Sequence, residues 1–475
     1  MTAAPARPRV GPPAPWSFPA PVLGQLPNGV RVVAFDVPGA QLAAVSIVVD
    51  APLAAEPPDR EGVATIVANT LDEGTAGLTG EQFSDEVALL GADYGASAGR
   101  SATYLTLDVA TTSLAAGLAL VAEALTSPAF PAAEVSRHVA LRLAAIAHQD
   151  SVASIRAARA LDAACFAPTS RASRPGGGTA ATVGRVTRDD TAAWYACAFA
   201  PHRTTVVLAA DLRGTDPLTM LDAALGGWSG LDAALGGWSG GPPGAGGAGT
   251  PDGAAARAGD LAAAKAAPPA VTVVDRPGSV QSALALGLAG PDRSAADWPG
   301  LLVAAHALGG GLSSRLMRSL REDLGYTYGI GARFTPFRAG GQFTISTAVD
   351  TATTGPALEQ IRVVVDGLRD DGLTSAERDD AVEFYLGASP LRFQTARALV
   401  DQAAGLVGDG MPADWLNVLR STIPRVTTEG ASAGFAAAVS SQLAVVVVGD
   451  ASVVAEPVHA LGLGELTVVP ASNPA

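Results

Sequence analysis

The chain contains 475 residues, of which 45 are acidic and 31 are basic, and its net charge is −14. This length exceeds what one ordinary hydrophobic core fills, so we expect two or more domains. The acidic balance argues against nucleic-acid binding, because phosphate recognition needs a basic surface and the sequence shows no basic stripe. The two cysteines, Cys165 and Cys197, stand far apart without C-x-x-C spacing, which excludes a disulfide framework.

The amino-terminal segment and the apolar stretches bear on location. Residues 1–20 include two arginines but no apolar core of a signal peptide. The longest apolar stretches, such as 114–125, are shorter than the ~20 residues needed to span a bilayer. We therefore expect a soluble, cytoplasmic protein with no membrane partner, and a disordered or surface-lying arm over residues 1–20.

The predicted elements of the first half begin with two segments rich in β-branched residues, 28–39 and 43–52, which we interpret as a hairpin. A short apolar stretch follows at 62–75. Alternation of apolar and polar residues over 102–114 predicts a half-buried strand. The half then continues with an amphipathic helix, an Ala-rich helix pair and a closing β-branched strand, over 114–127, 132–165 and 203–211.

The second half repeats this order. LGADYGASAGR (90–100) and LGYTYGIGARF (324–334) share LG-x-x-YG at an offset of 234 residues. An alternating segment (341–358) and an amphipathic helix (357–372) follow, and QLAVVVVGD (442–450) matches the earlier closing strand at an offset of 239. Residues 271–290 take the place of the opening hairpin. The sequence therefore predicts an α+β fold of two homologous domains, each a mixed or antiparallel β-sheet packed with helices.

These repeats divide the chain into an arm, a first domain, a linker, a second domain and a tail, over residues 1–20, 21–213, 214–268, 269–465 and 466–475. The linker contains an identical tandem decapeptide, LDAALGGWSG, at 221–230 and 231–240. Such a duplication indicates recent replication slippage, and two copies are too few for a solenoid. The following Gly/Pro/Ala-rich tract predicts flexibility, because it cannot bury enough apolar surface to order itself.

The second domain carries a motif of glycines, arginines and tyrosines, LGGGLSSRLMRSLREDLGYTYGIG (308–331). It lacks the G-K-[ST] of a phosphate loop and does not follow the strand that such a loop requires. Glycines let the backbone approach a neighbouring segment or a substrate strand closely. We therefore regard Gly309, Gly310 and Gly311 as candidate substrate-binding residues.

Together with the twin halves and GVATIVANTLDEGT (62–75), this motif resembles the pitrilysin-type zinc metallopeptidases, in particular their processing-peptidase-like branch of bacteria and mitochondria. The likeness covers roughly residues 25–460. It implies two clam-like halves, the first with H-x-x-E-H on a helix and a distant glutamate as a further zinc ligand. In this sequence the two ligand histidines fall on Thr65 and Asn69, and the catalytic glutamate falls on Ala68.

The residues at these positions do not suit zinc. Positions four apart share one helical face, which is how two imidazoles meet one metal ion. Threonine and asparagine do not replace them, and no glutamate occurs between Glu134 and Glu322 to act as the distant ligand. We interpret the neighbouring Asp72 and Glu73 as a solvated turn that closes the helix. We therefore expect no metal and no other cofactor in this chain.

Some members of the family act as two-chain enzymes, in which a metal-free subunit closes the chamber opposite the zinc-bearing one. The resemblance implies that this subunit contributes an arginine and a tyrosine with six residues between them, and Arg321 and Tyr328 match. A guanidinium and a phenol would hydrogen-bond the scissile carbonyl as it becomes an oxyanion. Tyr326 is a rival for the tyrosine, and helix-dipole and packing roles also fit the pair. Tyr94, the repeat counterpart of Tyr328, is assigned a structural role only.

The expected function is that of a non-catalytic subunit paired with a zinc-bearing sister subunit of the same family. Unfolded peptide would bind as an added strand on a sheet edge. The main alternative is a structural or assembly protein, like the core subunits that resemble this family within a respiratory complex. A third possibility is a self-sufficient peptidase with a different metal arrangement.

Overall fold

A computed structural model describes residues 16–229 and 270–470 of the chain. Within these ranges the chain forms two halves, and each half is built on a six-stranded sheet packed with helices. The predicted α+β fold of two homologous domains is confirmed. Within these ranges, no helix combines the length and the apolar character that crossing a membrane requires.

The first half alternates strands and helices. Its strands are β1 (Val22–Gln25), β2 (Arg31–Asp36), β3 (Leu42–Val49), β4 (Asp93–Ala98), β5 (Thr103–Ala110) and β6 (Thr204–Ala210). Its helices are α1 (Val63–Ala68), α2 (Gly80–Leu89), α3 (Leu114–Thr126), α4 (Ala132–Ser151), α5 (Ala153–Cys165), α6 (Ala180–Val183), α7 (Arg188–Ala198) and α8 (Pro217–Leu225). Short 3-10 turns occur at Leu53–Ala55, Thr111–Ser113, Arg171–Ser173 and Pro201–Arg203.

The second half follows the same plan. Its strands are β7 (Ala270–Asp275), β8 (Gln281–Gly290), β9 (Ile330–Phe337), β10 (Gly340–Asp350), β11 (Ala444–Gly449) and β12 (Glu465–Val469). Its α-helices are Trp298–Ala305, Thr354–Asp371, Ser375–Arg392, Ala396–Gly408, Trp415–Thr422, Thr428–Ala438 and Ala451–Ala460. Two segments are π-helical, His306–Gly310 and Met317–Asp323. Two 3-10 turns occur at Thr351–Thr353 and Ile423–Arg425.

The two sheets share the order of five strands, β2-β6-β3-β5-β4 and β7-β11-β8-β10-β9, and β1 or β12 completes the far edge of each. In the first sheet β6 lies parallel to β2 and antiparallel to β3. In the second sheet β11 lies parallel to β7 and antiparallel to β8. The repeated LG-x-x-YG leads into the terminal strands β4 and β9. The far edges differ, since β1 is antiparallel to β2 whereas β12 is parallel to β7.

The opening strands of each half do not form the predicted hairpin. Strand β6 is inserted between β2 and β3, and β11 is inserted between β7 and β8. Both inserted strands are buried along their whole length. Continuous β-branched runs of this kind suit a central strand that is covered on both faces. For the opening strands β2 and β3, and β7 and β8, proximity along the chain was therefore the wrong guide to pairing.

Each half lends one helix to the other. The Ala396–Gly408 helix of the second half packs on β3 and β6, whereas α5 of the first half packs on β8 and β11. The first contact lies in a buried cluster that includes Val48, Val207, Leu399, Val400 and Ala403. The second lies in a buried cluster that includes Ala157, Leu161, Ala285 and Val446. The exchanged helices cover the central strands of both sheets and join the halves through apolar burial.

Ion pairs reinforce this junction. Arg397 Nε donates to both carboxylate oxygens of Asp108, at 2.9 and 3.0 Å. Arg338 donates to the carboxylate of Asp50 at 2.6 Å and to the carbonyl oxygen of Gly408 at 2.9 Å. Both arginines belong to the second half and both aspartates to the first. The halves therefore form one body rather than two loosely tethered domains.

The predicted arm is ordered at its carboxyl end. Residues 1–20 were expected to be disordered or surface-lying, yet Phe18 is only 1% exposed. Its ring packs edge-on against Phe393 at 5.4 Å between centroids. Its backbone N–H donates to Asn417 Oδ1 at 2.8 Å, and its carbonyl accepts from Asn417 Nδ2 at 3.0 Å. Residues 16–20 thus tie the first half to the second, while 1–15 lie outside the described residues.

The first copy of the decapeptide belongs to the fold rather than to the linker predicted from residue 214. Helix α8 packs against α3, and Leu221 and Leu225 are buried. Trp228 is also buried, and Asn28 Nδ2 donates to the carbonyl oxygens of Leu225 and Trp228, at 2.8 and 3.0 Å. The second copy (231–240) lies outside the described residues. At the other end, the predicted tail begins within β12, which pairs with β7.

Candidate functional site

A buried carboxylate holds the first turn of α1, the helix that contains the aligned zinc-ligand positions. Glu56 Oε1 accepts hydrogen bonds from the backbone N–H groups of Gly62 and Ala64, both at 3.0 Å. Backbone N–H groups at the start of a helix have no acceptor within the helix. The Glu56 carboxylate acts as the acceptor for two of them. Burial raises the pKa of Glu56, and Arg171, whose guanidinium donates to it at 2.8 Å, opposes that shift.

Close backbone packing fixes the point at which α1 begins. Gly62 has a φ of +100°, a left-handed conformation that favours glycine. Gly178 has a φ of +74°, and a Cβ on it would lie 2.1 Å from the carbonyl oxygen of Glu61. The carboxylate of Glu61 pairs with Arg174 at 2.7 Å and with Arg171 at 3.5 Å. Glycines and buried ion pairs together determine the position of the helix.

The three aligned positions on α1 do not form a metal site. Thr65 and Asn69 are half-buried and Ala68 is buried. Protein zinc sites are built from Cys, His, Asp and Glu side chains, and none of the three residues is of these types. Across residues 16–229 and 270–470, no group of three or more such side chains is placed to hold a metal ion. The donors present therefore do not fit the zinc that the family resemblance implies.

Glu73 is held by α4 and Asp72 is half-buried beside it, so the pair does not form the predicted solvated turn. Glu73 Oε1 lies 2.7 Å from His138 Nε2, and it also accepts a hydrogen bond from Arg137. Burial works against ionisation, but the bonds from His138 and Arg137 hold the pKa of Glu73 below its usual value. Burial raises the pKa of the half-buried Asp72. An ion-pair network thus follows α1, and pairing across elements was not visible in the sequence.

Arg321 and Tyr328 lie together on the surface of the second half. The Cζ atom of Arg321 is 5.3 Å from the centroid of the Tyr328 ring. This distance is that of a cation–π contact. Tyr328 is 92% exposed and Arg321 is exposed as well. In the described part of the chain, no carboxylate pairs with Arg321.

Tyr326 and Tyr328 have different surroundings. Tyr326 is half-buried and packs against the core of the second half. Its backbone N–H donates to the carbonyl oxygen of Leu320 at 2.8 Å. The hydroxyl of Thr327 donates to the carbonyl oxygen of Ala348 at 2.8 Å. These hydrogen bonds fix the segment 326–329 that precedes β9, and Tyr328 is the tyrosine that projects from it.

Tyr94, the repeat counterpart of Tyr328 in the first half, is packed rather than projecting. Its ring lies edge-on to Phe83, with centroids 5.3 Å apart. Burial raises the pKa of its phenol above the ordinary value. These contacts agree with the structural role predicted for Tyr94.

The three candidate glycines, Gly309–Gly311, differ in their surroundings and are called the glycine segment below. Gly309 is buried against β9, where a Cβ on it would lie 2.4 Å from the backbone nitrogen of Ala332. Gly310 is exposed and Gly311 is half-buried, and both lie beside the ring of His306. Gly309 thus serves close backbone packing, whereas Gly310 and Gly311 present backbone that a peptide could reach.

Three side chains near the glycine segment were missed by sequence reasoning. The ring of His306 stacks on that of Phe384, with centroids 4.3 Å apart and planes at 24°. Arg392 Cζ lies 5.6 Å from the centroid of Phe384. Phe384 and Arg392 belong to the Ser375–Arg392 helix, and no pattern in the sequence links that helix to the glycines.

Family models match both halves of the chain. Residues 31–174 match the model described as Insulinase (Peptidase family M16), and residues 185–385 match Peptidase M16 inactive domain. A "Non-peptidase homolog YmxG" of Helicobacter pylori is 30% identical over 122 residues, which cover 25% of this chain and 28% of that protein. An "Uncharacterized zinc protease YmxG" of Bacillus subtilis is 29% identical over 98 residues, covering 21% and 24%. The chain thus matches about a quarter of the length of these relatives.

Solved structures agree on the fold. A peptidase M16 inactive domain from Pseudomonas fluorescens superposes with a TM-score of 0.78 at 22% identity, covering 90% of this chain and 98% of that one. A protease from Helicobacter pylori superposes with a TM-score of 0.77 at 15% identity, covering 90% and 99%. These identities support the fold alone. With both halves matched by the family's sequence models, the chain belongs to peptidase family M16.

Proposed function

We propose that the chain is the non-catalytic subunit of a two-chain peptidase of this family. In this proposal a zinc-bearing sister subunit lies opposite the second half, and unfolded peptide occupies the chamber between the two chains. Arg321 and Tyr328 face the peptide from the side of this chain. A cytoplasmic location is part of the same proposal.

The exposure of Tyr328 is the observation that carries this proposal. Tyrosines that serve packing place most of the ring against other side chains. Tyr326 and Tyr94 are of this kind and are half-buried. Tyr328 is 92% exposed, although its turn is fixed and Arg321 lies 5.3 Å from its ring. A core role does not explain an ordered phenol in solvent next to an unpaired guanidinium. A binding role does, because both groups are hydrogen-bond donors that a peptide carbonyl accepts.

The chemistry available to this pair is binding and polarisation. A phenol donates one hydrogen bond and a guanidinium donates up to five, so together they would hold one peptide carbonyl oxygen from two directions. Donors placed where negative charge develops stabilise a transition state more than the ground state. No step of hydrolysis begins on this chain, because α1 offers neither metal ligands nor a general base.

The sheet edges support peptide binding in extended form. Strands β4 and β9 are terminal in their sheets, and a terminal strand has one unpaired row of backbone groups. Strand β9 begins at Ile330, two residues after Tyr328. A peptide paired along this edge would therefore pass close to Arg321 and Tyr328. Backbone pairing tolerates many side chains, which suits unfolded substrates.

The test is co-expression with a family member from the same genome that retains H-x-x-E-H. We expect the two chains to co-purify and to cleave unfolded peptide, whereas this chain alone binds no zinc and cleaves none. Arg321→Ala and Tyr328→Phe should each lower kcat/KM of the pair on the order of 100-fold, because each removes one donor to the developing oxyanion. Zinc content and kcat/KM are measured on the purified pair.

The matched control is Arg362→Ala, which removes an exposed arginine of the same half that pairs with Glu359. It should leave kcat/KM unchanged. Full activity of the pair after both Arg321→Ala and Tyr328→Phe would favour the alternative, a structural or assembly protein with no part in cleavage. One tightly held zinc per isolated chain would instead indicate a self-sufficient enzyme.

A further inference from the structure

A layered stack lies beside the glycine segment. The ring of His306 stacks on Phe384 at 4.3 Å, and Arg392 Cζ lies 5.6 Å from the Phe384 ring. Gly310 also approaches this ring, so closely that a Cβ on it would lie 2.7 Å from His306 Nδ1. A Cβ on Gly311 would lie 3.6 Å from His306 Nε2. The His306 ring therefore contacts both the glycine segment and Phe384, and Phe384 in turn contacts Arg392.

Stacking sets the position of the His306 ring. His306 begins the π-helical turn His306–Gly310, and such turns recur at functional sites. Within the described residues, the ring nitrogens of His306 make no hydrogen bond to protein. Tyr385 adds a second aromatic neighbour, with centroids 5.8 Å apart and planes at 62°. The glycine backbone thus rests on an imidazole that is held by ring contacts rather than by polar bonds.

A positive charge on this ring is unfavourable. Burial and the nearby Arg392 both lower the pKa of His306, and Asp380 opposes them. Burial raises the pKa of the neighbouring Tyr385 to about 12, so that phenol stays neutral. All three of these ionisable groups lie on the Ser375–Arg392 helix. The ring is therefore neutral at pH 7, and its protonation needs a pH below the ordinary histidine value of about 6.5.

We propose that His306 is a positioning residue, which as a neutral ring holds Gly310 and Gly311 in place for peptide binding. Protonation would place a second cation in the stack with Arg392 and release the glycine segment. The role in peptide binding rests on the proposed function, whereas the contact and its pH dependence do not. Five residues separate the glycine segment from the π-helical segment Met317–Asp323, which contains Arg321.

The test on the isolated chain is hydrogen exchange of residues 308–314 between pH 7 and pH 5, corrected for intrinsic rates. We expect the protection of this segment to fall several-fold as the pH falls in the wild type and to stay constant in His306→Phe, whose ring cannot be protonated. His459→Phe, which changes an exposed histidine in the Ala451–Ala460 helix, should behave as the wild type does. The same pH dependence in the wild type and His306→Phe would overturn the inference.

A second variant keeps the test decisive if His306→Phe folds poorly. Arg392→Met removes the cation of the stack, so the pKa of His306 should rise and the loss of protection should begin at a higher pH. The chain has only five histidines, so histidine-selective NMR can follow the titration of His306 directly. No movement of the His306 titration in Arg392→Met would also contradict the inference.

Activity of the assembled pair separates this inference from the proposed function. If both hold, the acid limb of the pH profile of kcat/KM flattens in His306→Phe. If the pair is inactive at every pH but hydrogen exchange behaves as expected, the proposed function fails and His306 still positions the segment. An active pair with unchanged exchange and an unchanged pH profile would reject the role of His306 alone.

Discussion

The two halves share the order of five sheet strands but differ in what their candidate sites contain. In the first half, the buried pair of Glu56 and Arg171 still holds the start of α1, although that helix has no metal ligand. In the second half, Arg321 and Tyr328 stay exposed on a fixed turn. The support of a site and its chemistry are therefore separable. Burial and ion pairing maintain the structural support of a site, whereas its chemistry depends on a few side chains.

Among the substitutions that test the difference between the two halves, Arg171→Met should lower the unfolding free energy most. It leaves the Glu56 carboxylate buried without its cation, which should cost about 3–5 kcal/mol of unfolding free energy. The pKa of Glu56 in the folded state then rises further above the ordinary value. The destabilisation should therefore be smallest at low pH and grow as the pH rises above about 4.5. Urea unfolding at pH 4 and pH 7 measures both effects.

The matched control is Arg188→Met, which breaks an exposed pair with Asp189 at 3.4 Å. Surface ion pairs contribute little, so the unfolding free energy should change by no more than about 1 kcal/mol. Equal effects of the two substitutions would mean that the buried network does not support α1.

Phe18→Ala tests whether the halves are joined as the structure indicates. Phe18 is 1% exposed and contacts Phe393 in the other half, so its truncation should cost about 3 kcal/mol. Val22→Ala, at a position that is 47% exposed, should change the unfolding free energy by less than about 0.5 kcal/mol. A disordered arm, as the sequence predicted, would make both substitutions neutral in a urea titration.

Arg315→Met, within the motif at 308–331, should lower the unfolding free energy by a smaller amount. Arg315 donates to Glu377 at 2.6 and 2.8 Å. Although burial opposes it, hydrogen bonding from Arg315 and Thr374 lowers the pKa of Glu377 to about 2. The stabilisation is therefore present above the unfolded value of about 4.5 and is lost as the pH falls towards 2. Because the pair is partly exposed, the loss at pH 7 should be about 1 kcal/mol.

Arg318→Met is the control from the same motif, because among residues 16–229 and 270–470 Arg318 donates only to the carbonyl oxygen of Ser313, at 3.3 Å. It should leave the acid limb of stability unchanged, as measured by urea midpoints at pH 7 and pH 3. If Arg315→Met lost stability towards acid in the same way as the wild type, the ionised Glu377 would be stabilised without Arg315.

The smallest effect on stability should come from Tyr328→Ala. The side chain is 92% exposed, so its removal should change the unfolding free energy by less than about 0.5 kcal/mol. Tyr326→Ala should cost more, on the order of 1–3 kcal/mol, because that ring packs against the core. Thermal unfolding of the two variants distinguishes them. A large loss in Tyr328→Ala would favour a packing role and weaken the proposed function.

Elements and repeats were predictable because they depend on local pattern. The alternation at 341–358 and the apolar run at 442–450 became β10 and β11, and the shared LG-x-x-YG led to β4 and β9. Strand order was not predictable in the same way. The insertion of β6 between β2 and β3 is a long-range pairing, and neighbouring strands in the sequence do not show it.

The extent of the first half was partly visible in its sequence. Leu221, Leu225 and Trp228 recur at spacings of four and three, which suit one helical face, yet the Gly-rich surroundings favoured a linker. The absence of ligands on α1 could be predicted from residue types alone. The contacts of His306 with Phe384 could not, because they join separate elements through stacking, which leaves no periodic signal.

The exchanged helices have a consequence for synthesis on the ribosome. Strands β3 and β6 are complete long before the Ala396–Gly408 helix that covers them has been translated. Nascent domains ordinarily fold in order from the amino terminus. In this chain the apolar face of the first sheet that includes Val48 and Val207 stays exposed until most of the chain has been synthesised. The first half therefore completes its core only after the Ala396–Gly408 helix has been synthesised, so its folding depends on the second half.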